Sequence, residues 1–299
     1  MFSRKLVISM RTALVLALAT ATSSGNQDPG FFSADLAALT TFEVTGHSAF
    51  LLVPKSQHSS DDSPWVWYAP TLLQKDTPSQ VNRYMFDELL KNGIQVAGVD
   101  AGESYGSPAG TRIYSDFYQL VVRKYHLSTR PCLLAQSRGG LMLYNWAEEH
   151  ADSVRCIGAI YPVTDLRAWP LSTDSHEQYE EAKNAYGMKD KDEEFRNRLE
   201  ELSPVSHLST LAQHKVPIFH LHGNSDRWVS FSANSCALAK HYTALGGDAK
   251  VQIIKGKGHE SVDEFFKSCD LLNFLLSHLV SRPGVTASDC PKTDSGTCP

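Results

Sequence analysis

The stretch Cys132-Leu133-Leu134-Ala135-Gln136-Ser137-Arg138-Gly139-Gly140-Leu141 constrains the fold more than any other part of the chain. An apolar, strand-like run ends abruptly at a serine. Two glycines follow, and Leu141, Leu143, Tyr144, Trp146 and Ala147 then fall at helical spacing. A serine on a sharp strand-to-helix turn is a nucleophile elbow, and the residues two before and two after it must be small because the turn presses them against neighbouring backbone. Ala135 and Gly139 occupy those places. The same five residues also suit a plain buried serine in a loop, so the rest of the chain has to decide.

Two later stretches decide it. Val216-Pro217-Ile218-Phe219-His220-Leu221-His222-Gly223-Asn224-Ser225-Asp226-Arg227-Trp228-Val229 and Val251-Gln252-Ile253-Ile254-Lys255-Gly256-Lys257-Gly258-His259 are each an apolar strand emptying into a glycine-containing loop. The first loop carries an aspartate and the second a histidine, giving the chain order Ser, Asp, His. On these residues the sequence resembles the α/β-hydrolase superfamily, in particular its secreted bacterial prolyl-oligopeptidase-like and dienelactone-hydrolase-like members. The resemblance spans residues 42–279. It implies an α/β fold, a mostly parallel twisted sheet with helices on both faces and a helical lid insertion. It also implies a catalytic triad of Ser137, Asp226 and His259, because HGxxDxxV carries the acid and GxGH the base in those families.

The chain has 299 residues, enough for one large α/β domain, and its 42% hydrophobic content can fill the core. A formal charge of −5 without a basic run gives no case for a nucleic-acid partner. Arg4, Lys5 and Arg11 precede the apolar run 13–19, and Ala19-Thr20-Ala21 supplies a cleavage site, so residues 1–21 read as a secretory signal peptide. The apolar run is about half of the roughly 20 residues a membrane span needs. A secreted or periplasmic protein with no membrane span is therefore expected, and such a compartment permits disulfides. Six cysteines are available, and local pairing in chain order (Cys132–Cys156, Cys236–Cys269, Cys290–Cys298) is the expectation. No C-x-x-C spacing or adjacent histidine pair supports zinc, and the reading requires neither metal nor cofactor.

The expected organisation is a flexible lead-in at 22–41, a hydrolase domain at 42–281 and a tail at 282–299. Residues 166–214 interrupt the strand–helix rhythm with charge and scattered aromatics, as a lid over the site does. In the resembled fold the end of the strand 64–69 contributes half of an oxyanion hole. Here it reads Ala69-Pro70-Thr71, and Pro70 has no N–H to offer. The backbone of Thr71 and the hydroxyl of Tyr68 are the two candidates, and the N–H of Arg138 is a donor by its position after the serine. The Ser-Arg-x-Gly string also resembles the local motif of glucuronoyl esterases, which implies an oxyanion role for the Arg138 side chain; a surface ion pair is the alternative. Glu103 and Tyr105 in the loop after the strand 94–100, and Trp169 in the lid, are candidate substrate contacts. Asp165, after the strand 154–161, is the rival of Asp226 for the triad acid.

The chemistry implied is attack by Ser137, with His259 as base and Asp226 holding the imidazole. Ester hydrolysis, on small-molecule or polymer-linked substrates, is the favoured reading. A prolyl-oligopeptidase-type peptidase is the alternative, and residues 22–41 leave no room for the propeller that gates such enzymes. A non-catalytic binding protein on a hydrolase scaffold is the remaining class.

Overall fold

The computed structural model describes residues 29–56, 62–280, 295–296 and 298. The expected signal peptide lies outside the described residues, as do Cys290 and most of the expected tail. The described strands are β1 (Ala37–Val44), β2 (His47–Pro54), β3 (Trp65–Ala69), β4 (Gln95–Val99), β5 (Cys132–Gln136), β6 (Cys156–Ile160), β7 (Ile218–Gly223), β8 (Ala249–Ile254) and β9 (Ser295–Gly296). They form one sheet in the order β1-β2-β4-β3-β5-β6-β7-β8-β9. Pairing is antiparallel from β1 to β4, parallel from β4 through β8, and antiparallel again at the short β9. The helices are α1 (Arg83–Lys91), α2 (Pro108–Tyr125), α3 (Gly139–Glu149), α4 (His176–Ala185), α5 (Asp192–Leu202), α6 (Ser209–Gln213), α7 (Ala237–Ala244), α8 (Asp263–Phe266) and α9 (Cys269–Leu279).

β1 starts at Ala37, ahead of the strand expected from Phe42, and turns into β2 through Thr45 and Gly46. Both have positive φ, as a tight two-residue hairpin requires. Phe31 and Phe32 are buried, and Phe31 packs on Phe50 and Phe86 at 5.4 and 6.2 Å between ring centroids. The expected flexible lead-in is thus anchored from Phe31 onward.

Strand alternation sorts the core into two layers. Trp65, Trp67 and Ala69 of β3 face α2, α3, α6 and α7, while Val66 and Tyr68 face α1, α8 and α9. On the first face Trp67 lies 4.6 Å from Trp146 and 5.1 Å from Phe117, between ring centroids. Aromatic pairs of this kind contribute about 0.5–1.5 kcal/mol each beyond the area they bury. Here they clamp the helix that follows Ser137 onto the strand that ends at Ala69.

Between β6 and β7 the insertion has a small core of its own. Phe195 of α5 packs on Tyr179 and Tyr186, and Trp169 stacks on Tyr105 of the body at 5.9 Å. This separate core ends near Leu202. Val205, Leu208, Leu211 and Ala212 belong to the main core.

Cys132 and Cys156 sit directly opposite each other on β5 and β6 and are bonded, as expected. The other expected pairings do not form. Cys236 bonds Cys298 rather than Cys269, which brings the chain end back to the start of α7. Cys269 is also in a disulfide. Sequence proximity misleads here because β9 returns along the edge of β8, a non-local pairing that a two-residue strand does not announce.

Candidate active site

The elbow is built by backbone contacts on three sides. Ser137 has φ +50°, a left-handed conformation that costs about 1–2 kcal/mol in a non-glycine residue. Its N–H donates to Ile160 O at 3.0 Å, and its carbonyl accepts from the N–H groups of Gly140 and Val163, both at 2.9 Å. A Cβ on Gly139 would lie 2.2 Å from Ala69 O, and one on Gly140 would lie 2.3 Å from Val163 O. The small residues are therefore required by direct contact with the ends of β3 and β6.

His259 Nε2 lies 2.9 Å from Ser137 Oγ, and its Nδ1 lies 2.8 Å from Asp226 Oδ2. The other carboxylate oxygen of Asp226 accepts the N–H groups of Trp228 and Val229 at 2.9 and 2.8 Å. Burial of Asp226 works against its charge. Donation from His222 and His259 and the Val229 N–H outweigh that burial and hold its carboxyl well below the usual range. The group is accordingly ionised wherever His259 is to work as a base. Asp165, the rival, is turned elsewhere: its carboxylate takes the fork of Arg167, with Nη2 at 2.9 Å from Oδ2, and its Oδ1 accepts from Ser203 at 3.4 Å. Asp226 is the carboxylate at the imidazole.

The structure separates the three oxyanion candidates. Alternation along β3 sends the Tyr68 ring to the α1 face, where it packs edge-on to Phe86. Its hydroxyl proton goes to Gln136 Oε1 at 2.7 Å, so Tyr68 is not available as an oxyanion donor. The side chain of Thr71 donates to Tyr68 O at 3.2 Å. The backbone N–H groups of Thr71 and Arg138 have no acceptor among the described residues, and the close contact of Gly139 with Ala69 and Pro70 sets the two segments side by side. The Arg138 guanidinium pairs with Glu103 at 3.2 Å, and Glu103 also takes Lys75 at 2.7 Å. Glu103 thus holds the two cations beside the elbow through Oε1, while its Oε2 is buried without a hydrogen-bond partner among the described residues. Tyr105 is fully buried, and its hydroxyl donates to Glu181 of α4 at 2.6 Å. Together with Trp169 it fastens the lid to the body. The loop position expected for these two is right, but packing takes up their rings.

Sequence reasoning passed over His222 and Tyr161. His222 is buried, with Nε2 at 3.5 Å from Asp226 Oδ2. The Tyr161 ring lies 4.2 Å from the His259 ring, and its hydroxyl accepts from Gln136 Nε2 at 3.3 Å. A signal for His222 was present: His220 and His222 share one face of a fully buried strand, a placement that demands polar partners. Tyr161 gave none, since a tyrosine ending an apolar strand reads as core. Among the described residues there is no cluster of histidine, cysteine and carboxylate groups fit for a metal ion.

The fold and this constellation define a serine hydrolase on an α/β-hydrolase scaffold. Residues 113–281 match the prolyl oligopeptidase family, and the chain belongs to that family. No curated protein sequence matches it. Among solved structures it is similar to a puromycin-hydrolyzing peptidase of Mycobacterium tuberculosis, with a TM-score of 0.66 and 18% identity over 85% of this chain and 42% of the other. It is also similar to the Pyrococcus horikoshii acylaminoacyl peptidase (TM-score 0.63, 14% identity, 83% and 43% covered). A third is the Porphyromonas gingivalis dipeptidyl peptidase 4 (0.62, 17%, 81% and 35%). The chain therefore spans about two fifths of the length of these neighbours or less.

Proposed function

We propose that this chain is an exported serine peptidase that opens amide bonds of short peptides or aminoacyl compounds through an acyl-enzyme. The observation that carries the reading is the hydrogen-bonded run Ser137–His259–Asp226 in a chain of the prolyl oligopeptidase family. The family, together with neighbours named as peptidases, turns the preference from esters to amides. The expectation of an esterase rested on the short stretch ahead of the first strand, and that argument does not bear on the bond cleaved.

In the proposed mechanism the Nδ1–H of His259 donates to Asp226, leaving Nε2 to take the Ser137 proton as Oγ attacks the carbonyl carbon. The developing oxyanion is received by the N–H groups of Arg138 and Thr71, and a single donor of that kind typically contributes about 3–4 kcal/mol. His259 then protonates the leaving amine. Water, deprotonated by the same nitrogen, releases the acyl group and restores the serine.

Export is supported by the sequence of residues 1–21 and by the described disulfides, which suit an oxidising compartment. No helix among the described residues is long and apolar enough to cross a membrane. The deciding experiment is covalent labelling by a fluorophosphonate, combined with kcat/KM on matched aminoacyl amides, peptides, acyl esters and methyl uronates. The proposal expects labelling and amide turnover, both lost in Ser137→Ala by about 10⁴-fold or more. Turnover of esters alone would return the reading to an esterase, and an unlabelled, well-folded wild type would mark a non-catalytic scaffold.

A further inference from the structure

Next to Asp226, reaching the same Oδ2 that faces His259, lies a buried file of polar groups that the proposed mechanism leaves unused. Tyr144 Oη is 2.7 Å from His220 Nε2, and His220 Nδ1 is 3.0 Å from Ser235 Oγ. Ser235 Oγ is 2.7 Å from His222 Nδ1, and His222 Nε2 is 2.8 Å from Val229 O and 3.5 Å from Asp226 Oδ2. Tyr144, His220, His222 and Ser235 are each 0% exposed, so each is expected to be paired. The wide helical turn Ser232–Cys236 is what aims Ser235 between the two rings; in it the Cys236 N–H reaches back to Phe231 O at 2.9 Å.

The protons of this file can be placed in only one way. Val229 O accepts only, so His222 Nε2 carries a hydrogen. Tyr144 and Ser235 have no other acceptor among the described residues, so each hydroxyl must donate within the file. Tyr144 therefore donates to His220 Nε2, His220 Nδ1–H to Ser235, and Ser235 to His222 Nδ1. Both rings are neutral, and burial pushes His220 down to about 3, which agrees. Every donor points toward the acid loop, and the last N–H lies against the carbonyl and carboxylate that shape it. Aligned hydrogen bonds of this kind polarise one another.

We propose that His222 is a positioning residue for the triad acid, its Nε2–H fixed in direction by Ser235 and His220. It holds the Val229 carbonyl, and with it the loop whose N–H groups grip Asp226. It also draws negative charge away from the Oδ2 that faces His259. The inference rests on the proposed triad. The titratable and charged groups around the site are Tyr144 and Glu148 on α3, Tyr242 on α7, Tyr161 at the end of β6, and Asp226 and His259 themselves.

The sign of the effect follows. Without the His222 N–H, Asp226 presents more negative charge to His259, the imidazolium is stabilised, and the acidic limb of kcat/KM moves to higher pH. His222→Leu should raise that limb by about 0.5 pH unit or more and lower the plateau about 10-fold. His222→Gln, whose amide nitrogen reaches the same place, should restore the limb. Ser235→Ala, which removes one hydroxyl and no ring, should move it in the same direction by less. In the wild type, ¹⁵N spectra of the histidines at neutral pH should show the Nε2–H tautomer for His222 and the Nδ1–H tautomer for His220. That measurement stands even where His222→Leu does not fold. An acidic limb unmoved in both His222→Leu and Ser235→Ala, or the opposite tautomer at His222, overturns the inference. A wild type that fluorophosphonate does not label strikes the triad itself, and this inference with it, whereas a labelled enzyme with an unmoved limb strikes His222 alone.

Discussion

Gly139→Ala tests whether the elbow's contact with β3 sets the reactive geometry. The added methyl carbon would begin 2.2 Å from Ala69 O, 2.4 Å from Ala69 C and 2.6 Å from Pro70 N. All three are backbone atoms, so no side chain can rotate away. Reaching even 3.0 Å from the oxygen, a separation that Cβ atoms essentially never undercut, requires a movement of 3.0 − 2.2 = 0.8 Å between the elbow and the 69–71 turn. Overpacking of this degree typically costs about 1–3 kcal/mol, and for a domain of this size about 2–4 °C of Tm per kcal/mol follows. Activity should suffer more than stability. The displacement parts the N–H groups of Arg138 and Thr71 and shifts Ser137 against His259, and a misplacement of about 1 Å commonly costs on the order of 10²-fold. The assay is the second-order rate of fluorophosphonate labelling beside a thermal melt. Gly246→Ala serves as the control, because Gly246 has φ +83° but open space around its Cβ position. It should lose about 1 kcal/mol of stability and no labelling rate. A Gly139→Ala protein that labels at the wild-type rate would falsify the claim that this contact places the serine.

The remaining expectations are narrower. Asp226→Asn should lower kcat/KM by about 10⁴-fold through the wrong imidazole tautomer, while Asp165→Asn should leave turnover within a few-fold and show its effect in lid stability; the two steady-state measurements rank them directly. Arg138→Ala should keep most of kcat, because the guanidinium is committed to Glu103 and only the backbone N–H faces the proposed hole. Glu148 is pushed up to about 8 by burial, and its Oε1 has no hydrogen-bond partner among the described residues. Its folded pKa exceeds its unfolded one, so its contribution is full below about pH 4.5 and is lost as pH rises through about 8. Glu148→Gln should therefore melt higher than the wild type at pH 9 and lose that advantage toward pH 5.

The parts of the fold legible in the sequence were those written in local pattern. Apolar runs ending in glycine mark the parallel strands, and Ser137, Asp226 and His259 each follow a strand's carboxyl end, where the structure sets them within hydrogen-bond reach of one another. Alternation along β3 carries the information for Tyr68: with Trp67 on one face, Tyr68 lies on the other. Tyr105 and Trp169 were placed correctly in the chain, yet whether an aromatic ring lines a cleft or fills a core depends on what packs above it, and the lid supplies that non-locally. The Cys236–Cys298 bond escaped for the same reason, because its partners meet only after β9 joins the sheet edge. Arg138 is the instructive case. Its sequence context pointed to an oxyanion role, and its guanidinium is paired with the Glu103 carboxylate from the loop after β4.

The same Cys236–Cys298 bond divides the candidate machinery in an unusual way. With its ends 62 positions apart in sequence, it closes a ring that contains β8, His259 and α9, while Ser137 and Asp226 remain on the open part of the chain. A protease that cuts anywhere inside that ring produces two polypeptides still tied by sulfur. The base-bearing portion therefore cannot diffuse off until a reductant acts. On a gel such a nicked enzyme migrates as one species without reductant and as two with it, so scission of the backbone and loss of the histidine become separable events.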